Sequence, residues 1–156
     1  MTPLELLDAL CEEVREILSG YEYRTPAGQR VPMNVYPQNI PIPDSDEDET
    51  ELIPYVIVRL NSGDDNGKKD SFNTVNVVFI VGVMDDKPEQ QGFRDANNVY
   101  QKIYQRFQEN PMISGKAMFN GEFHWANQED GYYPYFFGAC SLSFYIPAIR
   151  REDPLA

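Results

Sequence analysis

The strand written by Tyr133 to Ile149 constrains this chain more than any other segment, because it is apolar or aromatic on both of its faces. Side chains alternate across a strand. One face therefore carries Tyr133, Tyr135, Phe137 and Tyr145, and the other carries Phe136, Cys140, Leu142, Phe144 and Ile146. A sheet with helices on one side and water on the other would alternate apolar with polar residues instead. The fold must therefore cover both faces, either with its own chain or with another subunit. A second subunit is the expected cover, which makes Tyr133, Tyr135, Phe137 and Tyr145 a candidate subunit interface.

The rest of the chain supplies the layers. Thr2, Pro3 and Glu5 spell a capping box with proline at the first helical position. Leu4, Leu7, Leu10 or Cys11, Val14, and Ile17 or Leu18 follow at helical spacing, and Ser19-Gly20 ends the helix. A second helix is expected over Pro88 to Asn110, with Phe93, Ala96, Val99 or Tyr100, Ile103 or Tyr104, and Phe107 as its stripe and Pro111 as its stop. Arg94, Lys102 and Arg106 lie off the stripe and read as a solvated face, or as a surface that meets an acidic neighbour. Leu52 to Leu60 and Phe72 to Met84 are rich in Val and Ile and read as strands. The polar, Gly-punctuated segment Asn61 to Ser71 between them is longer than a tight turn needs and predicts a projecting hairpin arm. Lys116 to Ala126 reads as a third long strand, turned into the last one by Gln128-Glu-Asp-Gly131. Met33 to Tyr36, among Pro26, Pro32, Pro37, Pro41 and Pro43, suits an edge strand. The expected fold is α+β: a mainly antiparallel sheet, two amphipathic helices packed on one face, and a long β-hairpin arm. Residues 1–156 read as a single domain, divided into an N-terminal helix at 1–20, a Pro-rich and acidic irregular segment at 21–51, and the sheet with its second helix at 52–150. A chain of this length buries roughly 70% of its unfolded surface.

The formal charge of −12 opposes nucleic-acid binding by phosphate neutralisation, which needs clustered Lys and Arg. Half of that charge sits in Asp44, Asp46, Glu47, Asp48, Glu49 and Glu51, where self-repulsion favours an exposed loop. Solubility alone explains such a charge. A conduit through which DNA slides, or a mimic of DNA, would also use it. No apolar run approaches the ~20 residues of a membrane span. Glu5, Asp8, Glu12 and Glu13 interrupt the N-terminus, so export is not expected. Cys11 and Cys140 read as buried free thiols.

Chemistry-bearing groups are sparse. The one histidine, His124, lies between Phe123 and Trp125 in a strand and reads as a packing residue, with no second histidine for a ligand pair. Asp85-Asp86 reads as a helix cap, with magnesium ligation as the alternative. Gly63-Asp-Asp-Asn-Gly67 is too acidic to cradle phosphate. The same loop lacks the downstream Glu of a helix–loop–helix calcium site. Stacking of sugar or single-stranded nucleic acid on Tyr132 to Phe137 is weighed against packing, which the acidic surroundings favour. Glu122 and Glu129-Asp130 near Trp125 are the one carboxylate set for glycoside hydrolysis. The reading is a non-enzymatic chain with no catalytic residues, cofactor or metal.

Pro54-Tyr-Val-Ile-Val-Arg-Leu60, Val75-Asn-Val-Val-Phe-Ile-Val-Gly82, Gly92-Phe-Arg-Asp-Ala-Asn-Asn-Val-Tyr100 and Tyr132-Tyr-Pro-Tyr-Phe-Phe-Gly138 together resemble the tail terminators of long-tailed bacteriophages and prophages, also called minor tail or tail-completion proteins. The likeness covers roughly residues 50 to 150 and is carried by structural motifs. It implies a virion component of the tail or neck, made in the bacterial host cytoplasm. Six copies would form a ring that caps the tail tube, stops its polymerisation and meets the head-tail connector. DNA would pass through that ring without specific binding. Asp44 to Glu51 and the pair Asp64 and Asp65 are then candidates to line the pore, with a solvated outer loop as the alternative. A head-tail joining protein of the neck and an acidic DNA mimic that inhibits a host DNA-binding protein are the competing readings.

Overall fold

The computed structural model describes residues 1–42, 52–68, 71–89, 91–129 and 132–148. Asp44, Asp46, Glu47, Asp48, Glu49 and Glu51 lie outside them. Helix α1 spans Pro3–Ile17 and helix α2 Phe93–Glu109. The strands are β1 (Tyr23–Arg24), β2 (Arg30–Val31), β3 (Asn34–Pro37), β4 (Tyr55–Asp64), β5 (Asn73–Met84), β6 (Met112–Ile113), β7 (Ala117–Asn127) and β8 (Tyr135–Ile146). The architecture is α+β, a mostly antiparallel curled sheet of six strands with two helices and a separate two-stranded sheet.

Helix α1 starts where its local chemistry dictates. The Thr2 hydroxyl accepts from the Glu5 amide at 3.2 Å, and the Glu5 carboxylate accepts from the Thr2 amide at 3.1 Å. Two otherwise orphaned donors are thereby satisfied. Its buried face is Leu6, Leu7, Leu10, Cys11 and Val14. Leu4, expected on that face, is 66% exposed, and Leu6 takes its place. Helix α2 begins at Phe93 rather than Pro88, because Gly92 occupies the cap position with helical dihedrals. A Cβ on Gly92 would stand 2.2 Å from the Phe136 ring, so only glycine lets the chain enter the helix this close to the sheet. Asp85 and Asp86 are not the cap. The Asp85 carboxylate accepts from the Lys87 amide, and Asp86 pairs with both terminal nitrogens of Arg24, so they fasten the approach to the helix instead. Ala96, Val99, Tyr100, Ile103 and Phe107 are buried as the stripe requires, whereas Phe93 is 39% exposed.

The sheet order is β3-β4-β5-β8-β7-β6. Among the described strands only β3 runs parallel to its neighbour, with Asn34 opposite Tyr55. β5 and β8 pair along their full lengths, from Asn73 opposite Ile146 to Met84 opposite Tyr135. Bulges interrupt β4 between Leu60 and Ser62, and β7 between Phe119 and Phe123. Residues 61–68, at the far end of the β4–β5 hairpin, are all exposed and form the arm.

Both helices lie on one face and share the main core with Val56, Val58, Val77, Phe79, Leu142 and Phe144. Phe107 meets Phe144 edge-on at 5.1 Å between ring centres, and Tyr104 stacks on Phe123 at 4.1 Å. Arg106 does not point into solvent. It pairs with Glu13 of α1 and donates to the carbonyls of Asn110 and Met112, which ties the helices together and closes the end of α2. A smaller core lies behind the sheet, where Ile53, Tyr55 and Ile57 pack with Tyr36, Ile40, Ile80, Met84 and Phe137.

Candidate interaction surfaces

The second face of the sheet is covered at one end and open at the other. Tyr135 and Phe137 are half-buried in the smaller core, where the Phe137 ring lies 6.5 Å from Tyr55 and 6.4 Å from Tyr132. Tyr145 is half-buried beside Phe72 at 5.9 Å. Tyr133 precedes the strand, because β8 begins at Tyr135. It is 49% exposed, and its hydroxyl donates to the Asp86 carbonyl. The four candidate interface residues therefore do not form one row. Between the aromatic ends the face carries small and polar groups: Val78, Ala126, Ala139, Ser141 and His124 line a shallow cleft of about 260 Å³. Farther along, the Ser143 hydroxyl donates to Asn76, whose amide donates to Ser62 at 2.8 Å. This polar ladder crosses three strands on a face of β8 that the sequence suggested would be apolar or aromatic throughout.

Asp64 closes β4 on the exposed arm. Asp65 accepts from the Gly67 amide at 2.9 Å, and the Asn73 side chain, oriented to donate, reaches both Asp65 oxygens at 3.1 and 2.8 Å. The carboxylate thus braces the arm against its own return strand. Arg59, on the open face, donates to the Gln38 carbonyl at 2.9 Å.

The sheet's two edges are built differently. Outside β3, the Val35 carbonyl accepts from Arg15 at 3.0 Å and the Pro37 carbonyl from the Asn39 amide at 2.7 Å, while Pro37 has no donor to offer. Where β3 ends, Gln38 turns through a left-handed conformation, φ 65°. Its side-chain amide then bonds Leu60 twice, accepting from the amide at 2.9 Å and donating to the carbonyl at 3.2 Å. A glutamine side chain completes the ladder where strand is lacking.

At the opposite edge β6 covers β7 only at Ala117 and Met118. The Gln128 amide donates to Phe137 across the hairpin at 2.9 Å. By alternation, Ala126 and His124 also bond toward β8. Phe123, Trp125 and Asn127 turn their backbone groups outward, and no hydrogen bond among the described residues occupies them. This open stretch was invisible in sequence, because nothing in the chain states which strand lies outermost.

A third region lies between α1, the β1–β2 hairpin and the start of α2. Arg15, Leu18, Tyr21, Arg30 and Met33 line a cleft of about 680 Å³. A neighbouring cleft of about 290 Å³ holds Arg24, Arg30, Lys87 and Arg94 with Glu22, Asp85 and Asp95. Burial, then the nearby Asp85, raises the Asp95 carboxyl above its usual range, against the lowering effect of Arg30, Lys102 and Lys87. Burial, reinforced by Asp95, pushes Tyr23 up to about 12. Lys102 sits over the Tyr21 ring at 4.5 Å. Arg24 pairs with Asp86, while Arg30 donates to the Glu22 carbonyl at 2.9 Å and Arg94 to the Gln91 side chain at 2.7 Å. Sequence reasoning missed the β1–β2 hairpin; its one cue was Gly28, which adopts φ 87° at the turn.

Cys11 and Cys140 are free and buried, and burial raises both thiols, so neither is poised as a nucleophile. His124 is exposed at the sheet edge rather than packed in it. Among the described residues no group of three or more His, Cys, Asp or Glu is placed to hold a metal, and no helix is long and apolar enough to cross a membrane. No family model matches this chain, and no curated protein matches it in sequence.

Proposed function

We propose that this protein is a structural component of a phage or prophage tail, a terminator that caps the tube as a ring and joins it to the head-tail connector. The observation that carries the reading is the second face of the sheet. Val78, Ile80, Ala139 and Tyr145 stay only half-buried there, beside an exposed arm that bears Asp64 and Asp65. A half-covered apolar face offers a contact to a neighbouring copy, and a contact that repeats by rotation closes into a ring. Each copy brings a charge of −12, which suits a channel that must release a polyanion rather than hold it. The partners in this reading are further copies of the chain, the tail tube protein and the connector protein.

The test is light scattering behind size-exclusion chromatography, with negative-stain images, on the protein alone and with purified tail tubes. A species near six times 17.9 kDa, seen as a ring with a central hole or as a cap on tube ends, is the expected result. A protein that neither forms rings nor binds tube ends overturns the proposal. Capture of a host nuclease in a pull-down would support the DNA-mimic reading instead.

A further inference from the structure

We propose that the open edge of β7 pairs with the same edge of a second copy, in antiparallel register about a twofold axis at His124. The geometry is that of an unfinished ladder. Phe123, Trp125 and Asn127 present unpaired N–H and C=O groups along a stretch that β6 leaves uncovered. Edge strands are normally protected by lysine, proline or a covering segment. Asn120-Gly-Glu-Phe-His-Trp-Ala-Asn127 contains neither lysine nor proline, and Glu122 is its one charged residue.

A second copy is the occupant because the edge is self-complementary. With the axis at His124, Phe123 lies opposite Trp125 of the other copy, so each copy contributes one half of two equivalent aromatic pairs. Both rings are already held in place, Phe123 against Tyr104 at 4.1 Å and Trp125 against Tyr100 at 6.5 Å, so little side-chain freedom is lost on pairing. Charge agrees: the regular pairing runs from Phe123 to Trp125 and holds no carboxylate, although each chain carries −12, and the bulge that includes Gly121, φ 95°, ends it. The other edge of the sheet is no alternative partner, because Arg15, Pro37 and Gln38 have closed it. An isologous pair joins two copies and stops. A ring would need another surface, so this inference and the tail reading stand or fall separately.

The register makes a sharp demand on cross-linking. His124 becomes a pair without mutual hydrogen bonds, with a Cα separation of ~4.5 Å, within the ~4.4–6.8 Å that a disulfide spans. His124 is exposed, and the native thiols are buried, so His124→Cys adds one accessible thiol without disturbing the core. Mild oxidation of the full-length H124C protein should convert the monomer to a disulfide dimer, while W125C and N127C, off the axis, should stay largely monomeric. At concentrations too low for a ring to assemble, sedimentation equilibrium of the unmodified protein should show a dimer that W125K abolishes. Equal cross-linking at all three positions would mean random collision and would overturn the pairing. A maximum at 125 would overturn the register. A folded H124C that stays monomeric would overturn self-association.

Discussion

The two edges of one sheet have opposite treatments. The β3 edge is closed by a guanidinium from α1, a proline within the strand and the side-chain amide of Gln38 just after it. Past the bulge between Phe119 and Phe123, the β7 edge has the same unpaired backbone and no such side-chain device. An open edge is therefore not forced on this fold by geometry, since the chain holds the means to close one and uses them on one side only. The difference separates a boundary built to end a sheet from one left able to continue it.

The harshest way to disturb the open side is to pry β7 from β8. A Cβ at Gly138 would meet the Tyr100 hydroxyl at 2.0 Å and the Ala126 carbonyl at 2.8 Å. Overpacking of this kind typically costs about 1–3 kcal/mol, and Gly138→Ala should lie at or above the top of that range because one obstacle is backbone. Urea unfolding measures it, and adding Tyr100→Phe should recover part of the loss by removing the other obstacle. Next comes the closed side. Gln38→Ala strips both partners from Leu60 and should cost about 1–3 kcal/mol, with faster exchange of the Leu60 amide as its local signature. Gln38→Gly, which favours the left-handed turn but lacks the amide, tells backbone strain apart from lost bonds. The smallest mutational effect belongs to Trp125→Lys, which is half-exposed and gives up its stack on Tyr100, about 0.5–1.5 kcal/mol in the monomer. A large loss of monomer stability there would mean that the edge is needed by the fold itself.

Alkali probes the interior on both sides. Burial raises Cys11 and Cys140 above 9.0 and Tyr23 and Tyr100 above 10.0. The folded state keeps these protons while the unfolded chain releases them, so the unfolded state binds fewer protons at high pH. Stability should be level up to about pH 9 and decline as the pH rises through the ordinary thiol and phenol values. Chemical denaturation between pH 7 and 11 checks the sign; a midpoint that rises across that window would contradict it.

What could be read in advance followed from local chemistry. Thr2, Pro3 and Glu5 act on one another within a single turn, so the start of α1 needed no tertiary knowledge. Val and Ile runs announced β4 and β5, and Pro111 announced the end of α2. Errors arose where distant groups decide. Leu4 lost its place to Leu6 because the arc a helix buries depends on which neighbours surround it. Arg106 left the solvated face because Glu13, far away in sequence, pairs with it. Gln38 gave no signal at all: its role depends on a left-handed turn that puts its amide beside Leu60. The acidic residues Asp44 to Glu51 lie outside the described residues, and of the pore candidates Asp64 and Asp65 are placed, on the arm.

The strand order has a consequence for synthesis. β8 sits between β5 and β7, yet it is synthesised after both of them. Until Ile146 is available, β5 and β7 each lack a partner along one side, and the Val-rich β5 waits longest. Contacts that close over such long sequence distances form slowly, and unpaired strands are sticky while they wait. A chain cut short before β8 would be a nascent product with two raw strands rather than a smaller version of this domain, so quality control on the emerging polypeptide bears directly on its yield.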